Sequence, residues 1–184
     1  KKQSPVLLYR IEDQSLHGKL WRELNRRELN QAEFFSKFNL LHSTIVELSR
    51  ISDFDQLCQQ IILLTVNRLG FDRAGLWLLD ESRQCMVGTY GIDESGQIRP
   101  EKDQAWRYEK TNVEDFMTGK TDKALAYDES PLYDAVSKVI DYGWHITAPL
   151  LYEGKLMGVI TVDNYIHKRR IQSYQQELLQ FYGM

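Results

Sequence analysis

The chain has 184 residues, 42% of them hydrophobic, enough for one domain of ordinary size with a proper core. Its formal net charge of −3, with acidic and basic side chains interspersed, excludes the clustered basic face of a nucleic-acid binder, and no apolar run reaches the ~20 residues of a membrane-spanning helix. Two cysteines, Cys58 and Cys85, exclude a disulfide framework; with no signal-peptide pattern at the N-terminus, the chain reads as cytoplasmic, with reduced thiols and no membrane contact.

Residues 1–15 begin with Lys1-Lys2 and hold one short apolar run, Val6–Ile11, too small to fold alone. They read as a linker or the tail of a preceding unit, in a fragment of a longer protein. Residues 16–50 lack proline and are expected to form one long helix for signalling or dimerisation. Phe34, Phe38, Leu41, Ile45 and Leu48 follow one another at spacings of four and three, the heptad rhythm of a helix packed along a partner. Toward the N-terminus Arg27 and Gln31 take the seam positions, so the helix either splays there or uses polar residues to set register. The stripe packs either on a second chain or on its own domain's sheet; a helix of about thirty residues is ~45 Å long, more than one small domain covers.

A second domain, residues 51–184, opens with Ser52-Asp53-Phe54-Asp55, a helix start with Ser52 or Asp53 as N-cap. Leu57, Ile61, Leu64 and Leu69 form its apolar stripe, and Gly70 is placed to end it. Strands are expected at Arg73–Leu79 and Cys85–Tyr90. The first is apolar on both faces, as a central strand covered on both sides would be. Ile92–Gly143 alternates polar stretches with isolated aromatics and includes a predicted short helix at Pro131–Asp141. A connection of that length suits a lid over a site. Gly143–Asn164 then reads as a hairpin, two apolar runs meeting across Glu153-Gly154-Lys155, with Asp163-Asn164 where the second leaves the core. Ile171–Tyr182 is an amphipathic helix.

The hairpin Gly143–Asn164, together with Phe71–Asp80, resembles the GAF domain family, small-molecule sensor and dimerisation modules of signalling proteins. The resemblance spans residues 43–182. It implies an α/β fold in the loose sense (α+β): a central antiparallel sheet of five or six strands, helices on one face and lid loops or short helices on the other. PAS is the competing fold. The family further implies a homodimer that passes a ligand signal to a covalently linked output domain, such as a histidine kinase of a two-component system, a cyclase or a transcription factor. The closing helix would pack beside the first. A rival reading is a ligand-free scaffold that only dimerises and aligns its neighbours.

Chemistry-bearing motifs are sparse. Gly119-Lys120-Thr121 ends like a phosphate loop, but Glu114 stands where that loop needs its first glycine. His17, His42, His145 and His167 are scattered and suggest no metal. His42 lacks the acidic neighbour of a kinase phosphoacceptor. No nucleophile elbow occurs, and the cysteines do not match those of free methionine sulfoxide reductases, so no enzymatic role is expected. Neither the Cys-His dipeptide of bilin-attaching relatives nor the Asn-Lys-Phe-Asp-Glu signature of cyclic-nucleotide-binding ones is present, which leaves the cofactor and ligand unspecified. Lys168-Arg169-Arg170 reads as a solvated turn. A pocket of this type is mostly apolar with a few placed polar groups. Its candidate ligand-binding residues are Trp77 and Tyr90 from the sheet; Trp106, Tyr108, Phe116 and Tyr127 from the lid; and Trp144, His145 and Thr147 beside the hairpin.

Overall fold

The computed structural model describes residues 32, 35–109, 111–134, 136–170, 172 and 174–183. The chain divides into two units, residues 1–38 and 39–184. In the first, residues 32 and 35–38 are helical, and Phe38 is 40% exposed. The expectations for residues 1–31, among them the linker, the early helix with Arg27 and Gln31, and His17, lie outside the described residues, as does Phe34.

The second unit begins with helical residues 39–48 (α1). Its stripe divides: Leu41 and Thr44 are buried and Leu48 half-buried, whereas Ile45 is 44% exposed beside an exposed Val46. Helix α2, Phe54–Asn67, starts where the sequence places it, with the Asp53 carboxylate accepting the Gln56 backbone N–H at 2.7 Å. Gly70 follows it with φ +78°, the left-handed conformation that ends a helix. The buried face runs through Cys58, Ile62 and Thr65, with Leu64 and Leu69, while Leu57 and Ile61 are half-buried, so the stripe is turned by about one residue from the expected one. Removing the cap in Asp53→Ala should cost about 1 kcal/mol in a urea unfolding curve. A change below a few tenths would mean that tertiary packing alone sets this helix start.

Strands β1 (Arg73–Asp80), β2 (Cys85–Ile92), β3 (Ile98–Pro100), β4 (Ala105–Arg107), β5 (Leu125–Tyr133), β6 (Val139–Tyr152) and β7 (Lys155–Asp163) form one antiparallel sheet. Its order is β3-β2-β1-β7-β6-β5, with β4 also pairing β2. Helix α3, Asn112–Met117, lies between β4 and β5, and α4, Gln175–Tyr182, closes the fold. The β6–β7 hairpin is tight, Tyr152 pairing with Lys155 across Glu153 at φ 50° and Gly154 at φ 75°. Two successive positive φ angles make the two-residue turn whose twist matches the strands, and glycine at the second removes the steric cost there. Pro149, opposite Val159 of β7, lies beyond the β5 pairing of β6, which runs only from Val139 to Thr147, so it removes no β5–β6 hydrogen bond.

The expected helix at Pro131–Asp141 is instead the β5–β6 turn. The Asp134 carboxylate accepts the backbone N–H groups of Val136 and Lys138 at 2.9 and 2.8 Å, and Ser137 takes φ 60°. An aspartate that caps its own turn closes a hairpin where polar composition alone suggested a helix.

The two sheet faces are covered differently. Helices α2 and α4 lie on one face: the Tyr182 hydroxyl donates to Ile61 O of α2 at 3.0 Å, and Tyr90 of β2 reaches Asp55 of α2 at 2.8 Å. Strand alternation sends Leu76, Ile146, Ile160 and Val162 into this layer, all nearly inaccessible. On the other face the segment from β3 to α3 forms a lid. Met86, Val113, Phe116, Leu156 and Val159 make a solid core beneath it, with Trp77, Trp106 and Tyr108 packed at its margin.

Candidate functional site

The space between sheet and lid is filled at one end by that core and hollow at the other. The hollow is a cavity of about 500 Å³. Trp77 of β1 and Trp106 of β4 stand between the two, their rings edge to face at 5.9 Å. His145 and Thr147 of β6 and Thr161 of β7 line the sheet side, and Leu132 and Tyr133 of β5 line the flank.

The floor is charged, unlike the mostly apolar lining expected. Arg73 at the start of β1 pairs directly across with Asp163 at the end of β7. Its Nε and Nη2 donate to the Asp163 carboxylate at 3.0 and 2.6 Å, and Nη1 donates to Tyr133 O at 3.1 Å. The guanidinium also stacks over the Tyr165 ring at 4.7 Å. Arg73 is 6% exposed, so this forked, doubly bonded pair is a buried one.

A second pair stands beside it. Arg99 of β3 donates through Nε and Nη2 to Oε1 of Glu101 at 3.0 and 2.9 Å. Glu101, 5% exposed, lies flat on β2 because Gly88 and Gly91 leave room: a Cβ on Gly91 would stand 2.5 Å from Oε1. Burial pushes the Glu101 carboxyl above its ordinary range, with Arg99 opposing. Glu94 lies 3.9 Å from both Arg73 Nη1 and Arg99 Nη1, joining the two pairs.

Of the nine residues the sequence points to, Trp77, Trp106, His145 and Thr147 line the cavity. Tyr127 is 39% exposed and stacks on the outer side of His145, ring centroids 5.0 Å apart. Phe116 and Tyr108 belong to the solid end of the lid. Tyr90 and Trp144 face the helices: Tyr90 bonds Asp55, while Trp144 packs edge to face on Phe71 at 6.3 Å and donates Nε1–H to Arg169 O at 2.7 Å. The residues missed are Arg73, Arg99, Glu101 and Asp163, charges from three separate segments of the chain.

Burial holds the His145 imidazole below its ordinary value of 6.5, with Asp163 pulling the other way. The folded state therefore favours the neutral ring. As pH falls through 6.5 toward the lowered folded value, the unfolded chain gains its proton first and stability is lost across that window. His145→Gln should flatten the decline of Tm below that pH; an unchanged decline would assign it to other groups.

Elsewhere, His42 is exposed on α1, and His167 bonds the buried Asp72 at 2.8 Å. Lys120 of the Gly119-Lys120-Thr121 turn pairs with Asp115 at 2.8 Å. Lys168 pairs with Asp141, and Arg169 serves through its carbonyl, bonding Trp144 and Asn164. Among the described residues, no three His, Cys, Asp or Glu side chains converge as metal ligands, and no helix is long and apolar enough to cross a membrane.

An antiparallel sheet backed by helices on one face, with a lid over a hollow on the other, places the domain in the α+β class. The family model of the GAF domain matches residues 53–184, and the chain belongs to that family. GAF domains are sensory and regulatory modules of signalling proteins. Solved structures of similar fold include the GAF domain of a phosphoenolpyruvate-protein phosphotransferase from Coxiella burnetii, at 11% identity and TM-score 0.65 over 82% of this chain and 90% of that one. Another is free methionine-R-sulfoxide reductase from Neisseria meningitidis in complex with its substrate, at 13% identity and TM-score 0.59 over 82% and 86%. The chromophore-binding domain of Stigmatella aurantiaca phytochrome P1 is 15% identical, with TM-score 0.56 over 82% and 58%. Identities this low show the fold alone. No curated protein matches the chain.

Proposed function

We propose that this chain is a cytoplasmic, non-catalytic sensor domain of a larger signalling protein, and that it binds a small ligand in the cavity beneath Trp106. The ligand changes the packing of the lid, and a dimeric helix formed by the residues before α2 passes that change to an output domain such as a histidine kinase. The hollow itself carries this reading: a scaffold with no ligand is best served by side chains filling that space, as they do at the other end of the lid. Signalling then needs two helix arrangements within a few kcal/mol of each other, so that differential binding shifts the population.

Trp77 and Trp106 wall the cavity and supply the readout. A low-molecular-mass cell extract should change their fluorescence saturably, and Thr161→Trp, which fills the hollow, should abolish the response. An equal response in that variant places the ligand elsewhere.

The helix link has its own test. Ile45→Glu with Leu48→Glu should leave the domain folded, because Ile45 is 44% exposed and Leu48 only half-buried, and should weaken self-association about tenfold or more. A variant that sediments as an unchanged dimer would remove this stripe from the interface.

A further inference from the structure

Hydrogen bonding around the cavity is lopsided: the carboxylate oxygens of its paired charges are spent or sealed away, while donors remain. Both Asp163 oxygens are taken, Oδ1 by Arg73 Nε and the Tyr165 backbone N–H, and Oδ2 by Arg73 Nη2. Glu101 gives Oε1 to Arg99, and its Oε2 is shut in against Gly91. Arg99 is the opposite case. Its side chain is 24% exposed and lines the hollow, and it spends only Nε and one N–H of Nη2 on Glu101. Nη1 makes no hydrogen bond among the described residues, with Glu94 standing 3.9 Å away. The tip of the guanidinium, Nη1 with the outer N–H of Nη2, is therefore an unused donor fork.

Charge separates the acceptors that fit this fork. Arg73 balances Asp163 and Arg99 balances Glu101, which leaves Glu94, close to both guanidiniums, and Asp134 as surplus carboxylates. A carboxylate or phosphate ligand would enter against that surplus in a partly dry hollow, and a cation would meet the guanidinium tip instead of an acceptor. An uncharged acceptor avoids both penalties. Trp77 and Trp106, edge to face at 5.9 Å, supply an aromatic wall against which a flat ring packs. We propose that the cavity selects an uncharged aromatic or heteroaromatic ligand bearing a carbonyl-type acceptor, with the acceptor on the Arg99 fork and the ring against the two tryptophans. Such a ligand takes N–H groups that are otherwise unused and leaves the Arg99–Glu101 pair intact.

This inference rests on the sensor reading but fails separately from it. Benzamide, benzoate and benzamidine share one shape and differ in charge, and aniline keeps the ring without a carbonyl. Titrated into the whole chain at neutral pH and followed by the indole N–H resonances of Trp77 and Trp106, benzamide should bind with a dissociation constant on the order of 1 mM. It should bind about fivefold or more tightly than each of the other three. Arg99→Lys, which keeps a cation for Glu101 but loses the fork, should bring benzamide to within about twofold of aniline. If Arg99→Lys does not fold, the wild-type ranking decides. Tightest binding of benzoate or benzamidine, benzamide no tighter than aniline, no benzamide binding at about 10 mM, or an unchanged preference in Arg99→Lys each overturns the assignment. Benzoate or benzamidine bound tightest and lost in Thr161→Trp would keep the cavity as a ligand site while rejecting its preference for an uncharged acceptor. Benzamide bound equally by Thr161→Trp would remove the ligand site and the inference together.

Discussion

Arg73→Ala should destabilise the domain by about 3–5 kcal/mol, lowering Tm by roughly 10 °C or more. The side chain is buried, and it answers Asp163 directly across the β1–β7 ladder while tying in Tyr133 of β5. Alanine would leave the Asp163 carboxylate without its cation and Glu94 with Arg99 alone. An uncompensated buried charge is the expensive outcome, more so than the loss of the attraction itself. Arg73→Lys should fall between, because an ammonium keeps the charge but not the fork that meets both carboxylate oxygens. Loss of less than about 1 kcal/mol in the alanine variant would put this pair in the class of surface ion pairs.

Trp144→Ala should cost a similar amount, about 3–5 kcal/mol, without touching the cavity. The indole is 6% exposed on the helix side of β6, and its N–H holds the Arg169 carbonyl of the segment leading to α4. Truncation opens a void against Phe71 and removes one of the two donors to that carbonyl, leaving only the Asn164 amide. Trp106→Ala makes the counterpart: half-buried on the lid, it should cost less stability but strip a wall from the cavity and weaken any ligand held there. The reverse ranking in chemical denaturation would mean that the lid carries more of the fold than its packing indicates.

Why Trp144 and His145 differ was legible in the sequence. Neighbours along a strand face opposite ways, so His145 and Thr147 share a face that Trp144 cannot. Tyr90 obeys no such rule. Gly75 pairs with Gly91 but Trp77 pairs with Gly88, so β2 carries an extra residue there, and the bulge turns Tyr90 toward α2. A bulge leaves no mark in composition. The hairpin at Glu153-Gly154, the Asp53 cap and the first two strands were readable because each depends on residues adjacent in sequence. The β5–β6 region was misread because β5 is an edge strand with much of its surface exposed, and it lacks the apolar alternation that marks a half-buried strand. The charged floor was hidden for a different reason. Arg73, Arg99, Glu101 and Asp163 look individually like surface residues, and only the sheet order brings them together. The pair of glycines at 88 and 91 was the available hint, a strand with two bare positions implying that something lies close upon it.

The account stands or falls on whether the hollow is occupied in use. Native mass spectrometry of the chain purified from cells, wild type beside Thr161→Trp, addresses this most directly. The sensor account predicts a wild-type dimer carrying a reproducible extra mass that Thr161→Trp lacks. A wild-type dimer with no added mass, together with a Thr161→Trp variant that is more stable for having its void filled, would contradict it and leave a scaffold.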